Sequence, residues 1–181
     1  MLTISDATVT FGTGTPNEVR ALNKLSLEVT NGEFITVIGA NGAGKSTLFN
    51  IIAGAIMLTR GKIILDSKNV TEWPEHKRSR NIGRVFQNPS LGTCPDLTIR
   101  ENLSLASMRG KFLGLRPGIK HKQERWFRDL VSSVNLGLED RLDTAVSLLS
   151  GGQRQAITLI MATMMQPSLL LLDEHTAALD P

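Results

Sequence analysis

The chain has 181 residues, a net charge of +3 and one cysteine. This length suits one domain that buries roughly 70% of its unfolded surface, and a lone cysteine excludes an internal disulfide framework and suits a reducing compartment. The 41% hydrophobic and 20% charged fractions exclude a disordered chain, while the mild basicity fits an anionic ligand or an anionic membrane surface equally well.

Met1 to Asp6 has no basic region followed by a long apolar run, so no signal peptide is expected. Residues 2–11 read as a strand that ends at Phe11, before the glycine-rich loop Gly12-Thr13-Gly14-Thr15-Pro16. Leu25, Leu27 and Val29 alternate with polar residues, which predicts a second, half-buried strand. Asn31-Gly32 is a hairpin turn signal. Phe34-Ile35-Thr36-Val37-Ile38 reads as a buried strand leading into Gly39-Ala40-Asn41-Gly42-Ala43-Gly44-Lys45-Ser46-Thr47. Ser46 to Ala53 reads as a helix, with Gly54 placed as its C-terminal cap.

The stretch 39–47 fits G-x-x-x-x-G-K-[ST], the phosphate-binding loop. Glycines let backbone N–H groups approach phosphate oxygens, and the helix N-terminus adds partial positive charge. Gly39, Asn41, Gly42, Ala43, Gly44, Lys45, Ser46 and Thr47 are therefore the expected ATP-binding residues. Lys45 brings a full charge to the β- and γ-phosphates, and the Ser46 hydroxyl can ligate Mg²⁺. The competing reading is a glycine-rich turn with a chance lysine.

Gly61 to Asp66 reads as a strand, residues 76–84 are basic, and Ile82 to Phe86 is a short strand ending at Gln87. From about 93 to 147 the pattern turns helical. Thr98-Ile99-Arg100-Glu101 is a capping box. Residues 109–128 carry Arg109, Lys111, Arg116, Lys120, Lys122, Arg125 and Arg128 against Glu124, and Gly114, Pro117 and Gly118 interrupt them. That segment is compatible with RNA, with an anionic membrane surface, or with a solvated face. Trp126, Phe127, Leu130, Val131 and Val134 lie on one helical face. The uncharged run Gln155 to Leu172 is broken by Gln166-Pro167-Ser168, so it reads as a buried helix and a buried strand rather than a membrane span. Leu169 to Leu172 has the continuous apolar character of a central parallel strand covered on both faces. Ligands sit beyond the carboxyl ends of such strands, so Asp173 is expected near the phosphate loop as a second Mg²⁺ anchor. Glu174 is the candidate to polarise an attacking water. Against this stands a solvated pair of acids at a strand end.

Leu149-Ser150-Gly151-Gly152-Gln153 is a capping box that opens the apolar helix, and it also resembles the signature of ATP-binding-cassette (ABC) ATPases. The resemblance covers the whole chain: the phosphate loop at 39–47, Gln87 as the glutamine loop, the signature at 149–153, Asp173-Glu174, and Ala178-Leu179-Asp180 as the D-loop. It implies an α/β P-loop NTPase with a RecA-like core, an antiparallel β-subdomain and a helical insert. Residues 1–92 and 148–181 would form the core with its β-subdomain, and 93–147 the helical subdomain. Phe11 would stack on adenine; the alternative is a core phenylalanine at a strand end. Catalysis would rest on Glu174, Gln87 and Lys45, and Mg²⁺ on Ser46, Gln87 and Asp173. Ser150, Gly151, Gly152, Gln153 and Asp180 would contact the ATP held by a second copy.

The resemblance further implies a homodimer that binds and hydrolyses MgATP, a transmembrane permease, an extracytoplasmic solute-binding protein and no nucleic acid. It places the protein peripherally on the cytoplasmic face of the membrane. The wording around 173–181 and the Phe11 to Glu18 loop resemble bacterial importers of the tryptophan/tyrosine type. The family departs from this chain at His175, where many members have proline, and at a switch histidine beyond the D-loop. None of His76, His121 or His175 lies there, so a truncated, C-terminally incomplete chain is expected. The rival classes are a soluble ABC protein acting on nucleic acid or ribosomes, and a non-catalytic nucleotide-binding fragment.

Overall fold

The alternating residues at the start of the chain form β1 (Leu2–Phe11), which pairs antiparallel with β2 (Val19–Val29) on one side and β3 (Arg60–Leu65) on the other. The computed structural model describes residues 1–111 and 123–173, and the chain divides into two units, 1–82 and 83–181. In the first unit the sheet order is β2-β1-β3-β4, with β4 the short strand Lys68–Asn69. Burial on β1 runs Leu2, Ile4, then Ala7, Val9. The phase changes because the register slips between Ile4 and Ala7, where Asp6 has φ 48°. An extra residue at such a bulge returns the following side chains to the buried face.

α1 (Lys45–Ala53) buries Leu48, Ile51, Ile52 and Ala53. Gly54 ends it with φ 85°, its N–H bonded to Asn50 O, as the sequence predicts. A second lock comes from α2 (Glu75–Arg78). The Arg78 side chain, in a residue only 1% exposed, donates from Nη1 to Ile51 O (2.6 Å) and Ile52 O (3.1 Å). It also donates from Nε to Trp73 O and from Nη2 to Thr71 O, both at 2.8 Å. The basic run 76–84 thus hides one buried cation, which composition does not reveal.

The strand expected over 34–38 does not form. Asn31 and Gly32 turn, but no strand assignment follows, and Phe34 and Ile38 are 81% and 90% exposed. Among the described residues no backbone hydrogen bond pairs this segment with a neighbour. An apolar β-branched run is only disposed to be a strand; a ladder needs a partner that presents its own N–H and C=O groups.

In the second unit β5 (Ile82–Val85) pairs with β6 (Leu169–Leu172). Only Leu171 of β6 is buried and its other leucines are half-buried, so cover on both faces is incomplete among the described residues. Burial of a strand depends on what packs over it, which its own sequence does not contain. α3 (Ile99–Ser107), α4 (Glu124–Ser132) and α5 (Gly151–Thr163) share one core of Ile99, Leu103, Phe127, Val131, Leu142, Val146, Ile157 and Ile160. Trp126, Leu130 and Val134 pack at its edge, so the apolar face read on α4 is the one it buries. Among the described residues no helix is long and apolar enough to cross a membrane.

Candidate nucleotide site

Gly44 is the residue on which the phosphate loop turns into α1. It has φ 91°, and a Cβ there would lie 2.7 Å from Ala21 O and 3.1 Å from Leu22 Cδ2 on β2. Only glycine accepts that conformation and that approach without strain. The turn leaves the backbone N–H groups of Gly44, Lys45, Ser46 and Thr47 with no acceptor among the described residues. These are the orphan donors of a helix N-terminus, and with the helix dipole they form an anion site. Lys45 Nζ donates to Gly39 O (2.6 Å) and Ala40 O (3.0 Å). The ammonium is therefore folded back over its own loop, within reach of whatever oxygen replaces those carbonyls.

Phe11 ends β1 opposite Val19 and is 43% exposed, which removes the core-phenylalanine alternative. The loop after it is held by its own bonds, with Thr15 N and Oγ1 on Gly12 O and Gly14 N on Glu18 Oε2.

In the second unit Gln87 follows β5 and is exposed. The Asp173 N–H donates to Val85 O at 3.1 Å, so Asp173 leaves β6 beside the end of β5. Its Oδ2 lies 4.0 Å from Arg84 Nη2, and Arg84 stacks over the Phe86 ring at 4.6 Å. Sequence reading did not single out Arg84; only the strand pairing brings it to the carboxylate. Glu174 and Asp180 lie outside the described residues.

Each unit, taken by itself, offers an oxygen donor of the type Mg²⁺ takes. In the first, the Ser46 hydroxyl is exposed with no bond among the described residues. In the second, Asp173 presents a partly exposed carboxylate whose one ion pair is too long for a hydrogen bond. Mg²⁺ takes hard oxygen donors of this kind and completes its shell with water and substrate phosphates.

Ser150 caps α5 as expected: Gln153 N donates to Ser150 Oγ (3.3 Å), and Ser150 N donates to Gln153 Oε1 (3.2 Å). Gly151 is exposed and nothing lies within 4 Å of a Cβ added to it. The approach to this helix N-terminus is open on that side.

Of the basic segment 109–128, the described part is not a uniform solvated face. Arg109 is half-buried, and burial pulls its guanidinium below the ordinary arginine range. Lys111 Nζ bonds Ser107 O, and Arg128 pairs with Asp140 and Glu124. Arg116, Lys120 and Lys122, with the breaks at Gly114, Pro117 and Gly118, lie outside the described residues.

A glycine loop opening a helix, with a lysine folded back over that loop, defines a P-loop nucleotide-binding protein. Residues 22–177 match the family model described as ABC transporter. The chain belongs to that family, as an ATP-binding subunit with import-type relatives, and it has the cassette fold of an ABC ATPase. It is 51% identical over 168 residues to a tyrosine transport ATP-binding protein of Clostridioides difficile, covering 93% of this chain and 66% of the relative. It is 38% identical over 159 residues to the spermidine/putrescine import ATP-binding protein PotA of Haemophilus influenzae, covering 88% of this chain and 40% of that one. A solved dimeric ATP-binding cassette in a post-hydrolysis state with ADP and Pi superposes with TM-score 0.82 at 29% identity, over 99% of this chain and 76% of the other.

Proposed function

We propose that the protein binds and hydrolyses MgATP in a head-to-tail dimer and so powers solute import through a separate membrane permease, as an importer of the tyrosine/tryptophan type. The observation that carries this reading is the phosphate cradle, four N–H groups at the start of α1 with no acceptor among the described residues and Lys45 folded back onto the carbonyls of Gly39 and Ala40. The phosphate loop and Phe11 hold the nucleotide. Ser46, Gln87 and Asp173 would hold Mg²⁺, which neutralises phosphate charge when bound. Glu174 takes the proton of the attacking water. Ser150 to Gln153 and Asp180 complete the nucleotide site of the second copy. The partition into a core with its β-subdomain (1–92, 148–181) and a helical subdomain (93–147) belongs to the same reading. So do an extracytoplasmic solute-binding partner and a place on the cytoplasmic face of the membrane.

The test is Lys45→Ala, which removes the full charge of the cradle. MgATP affinity falls at least about tenfold, or about 1.4 kcal/mol. Equal calorimetric affinity of variant and parent overturns the assignment. Glu174→Gln separates the steps: it keeps ATP binding and loses turnover, because the amide is no base. Hydrolysis at the parental rate removes Glu174 from the mechanism.

A further inference from the structure

Arg154 lies one residue past the signature, on the first turn of α5. Its Nη1 donates to Ser90 Oγ at 3.2 Å, and its Nη2 donates to the carbonyl oxygens of Ser147 (3.1 Å) and Leu149 (3.5 Å). Ser147 and Leu149 lead directly into Ser150. Ser90 sits in the 3₁₀ turn Pro89–Leu91 that follows Gln87, and its own N–H is fixed on Asn88 Oδ1. One guanidinium therefore ties the turn after Gln87 to the turn before the signature.

Helix stability does not explain a cation at this position, because the first turn is the positive end of the helix dipole. No ion pair satisfies it either: among the described residues no carboxylate lies in range, and Nε is buried without a partner. A second contact reinforces the tie. A Cβ at Gly92, at the end of the 3₁₀ turn, would lie 2.7 Å from Thr158 Cγ2 on α5. Thr158 Oγ1 is itself bonded to Arg154 O at 2.9 Å. The turn is seated on one stretch of α5 by a hydrogen-bonded end at Ser90 and a steric end at Gly92.

We propose that Arg154 is a positioning residue that locks the signature turn to the turn following Gln87, so that a displacement at Gln87 is carried through Ser90 to Ser150. The claim rests on the roles proposed for Gln87 and the signature. Arginine suits the task because its planar fork offers donors in two directions at once, which a lysine ammonium on a flexible stem does not reproduce.

The test compares Ser90→Ala, Arg154→Lys and the double variant in the full chain by amide hydrogen exchange without nucleotide. Ser90→Ala speeds exchange in a peptide spanning 146–153 by about fivefold, the effect of one lost hydrogen bond, while the 39–47 peptide keeps its rate. Arg154→Lys does the same, and the double variant is no faster than either single, since all three cut one link. Parental exchange at 146–153 in Ser90→Ala overturns the inference, as does equal acceleration of every peptide, which signals general loosening. In the ATPase assay kcat falls in both single variants while KM for ATP stays within about twofold. Altered exchange with parental kcat makes Arg154 merely structural and also overturns the proposal. If the parent has no Lys45-dependent turnover, the proposed function fails instead, and the exchange comparison alone decides whether the link exists.

Discussion

Arg78 carries a full charge into the first unit and meets carbonyl oxygens rather than a carboxylate. Burial lowers its affinity for the proton, but arginine starts so high that it stays charged. Two of its four acceptors are the last carbonyls of α1, where a cation also meets the negative end of the helix dipole. Arg78→Met leaves those oxygens buried and unpaired. Hydrogen bonds to charged groups each contribute about 1.5–3 kcal/mol, so we expect a loss of about 3 kcal/mol or more, read from urea denaturation. A loss below about 1 kcal/mol would mean that water replaces the guanidinium without penalty. Gly44→Ala should act at the other end of the same helix. It forces a Cβ to within 2.7 Å of Ala21 O at φ 91°. We expect destabilisation of about 1–3 kcal/mol together with weaker ATP binding, since the orphan N–H groups would turn away. Unchanged nucleotide affinity would dissociate the Gly44 geometry from the cradle.

α3 is an element whose start is defined by a few residues and whose position is defined elsewhere. The Thr98 amide donates to Glu101 Oε2 at 2.7 Å, and the Glu101 amide returns a bond to the Thr98 hydroxyl. Beyond the cap, Ile99 N and Arg100 N bond Thr144 O and Leu142 O, while Val146 N and Ser147 N bond Leu97 O and Pro95 O. Buried Asn102 closes the loop with bonds to Cys94 N and to the carbonyls of Cys94, Leu97 and Thr98. Two carboxylates respond to acid here, Glu101 of α3 and Asp143, which pairs with Arg100 of α3. The Thr98 amide and then its hydroxyl hold the Glu101 carboxyl below its ordinary range, and the Arg100 hydrogen bond does the same for Asp143. Because both folded values are depressed, their stabilisation is present above the ordinary carboxylate range of about 4 and is lost as pH falls through the folded values. We therefore expect Glu101→Gln to melt below the parent at pH 7, with the gap closing only as pH falls below the ordinary carboxylate range and through the depressed folded value, by thermal scans from neutral to acid pH. A gap that stays constant with pH would assign Glu101 a role independent of its charge.

At the scale of the molecule, each unit has a core of its own, and the apolar segment 34–38 belongs to neither. Phe34→Ser tests this directly. With Phe34 81% exposed, the substitution should change the unfolding free energy of this chain by less than about 0.5 kcal/mol, the range of surface changes. A buried strand would instead lose about 3–5 kcal/mol on truncation of a phenylalanine. The same change should reduce self-association in sedimentation, since an unpaired apolar run is a template for intermolecular pairing. Equal self-association with a large stability loss would place Phe34 in a core.

What the sequence determined by itself is what a few neighbouring residues decide together. The strand at 2–11, the capping boxes at Thr98 and Ser150 and the Gly54 cap all follow from residues at most a few positions apart, and they stand where the residues predicted. The order of motifs along the chain carried the family in the same way. What only the tertiary structure decided involves partners remote in sequence. Arg78 rather than Lys77 or Arg80 became the buried cation because α1 ends beside it. Arg84 reached Asp173 through the pairing of β5 with β6, and Arg154 reached Ser90 through the seating of a turn on α5. Segment 34–38 has every local disposition of a strand and no ladder. Hydrogen bonds and burial are supplied by whatever packs alongside, and a segment's own residues do not specify that neighbour.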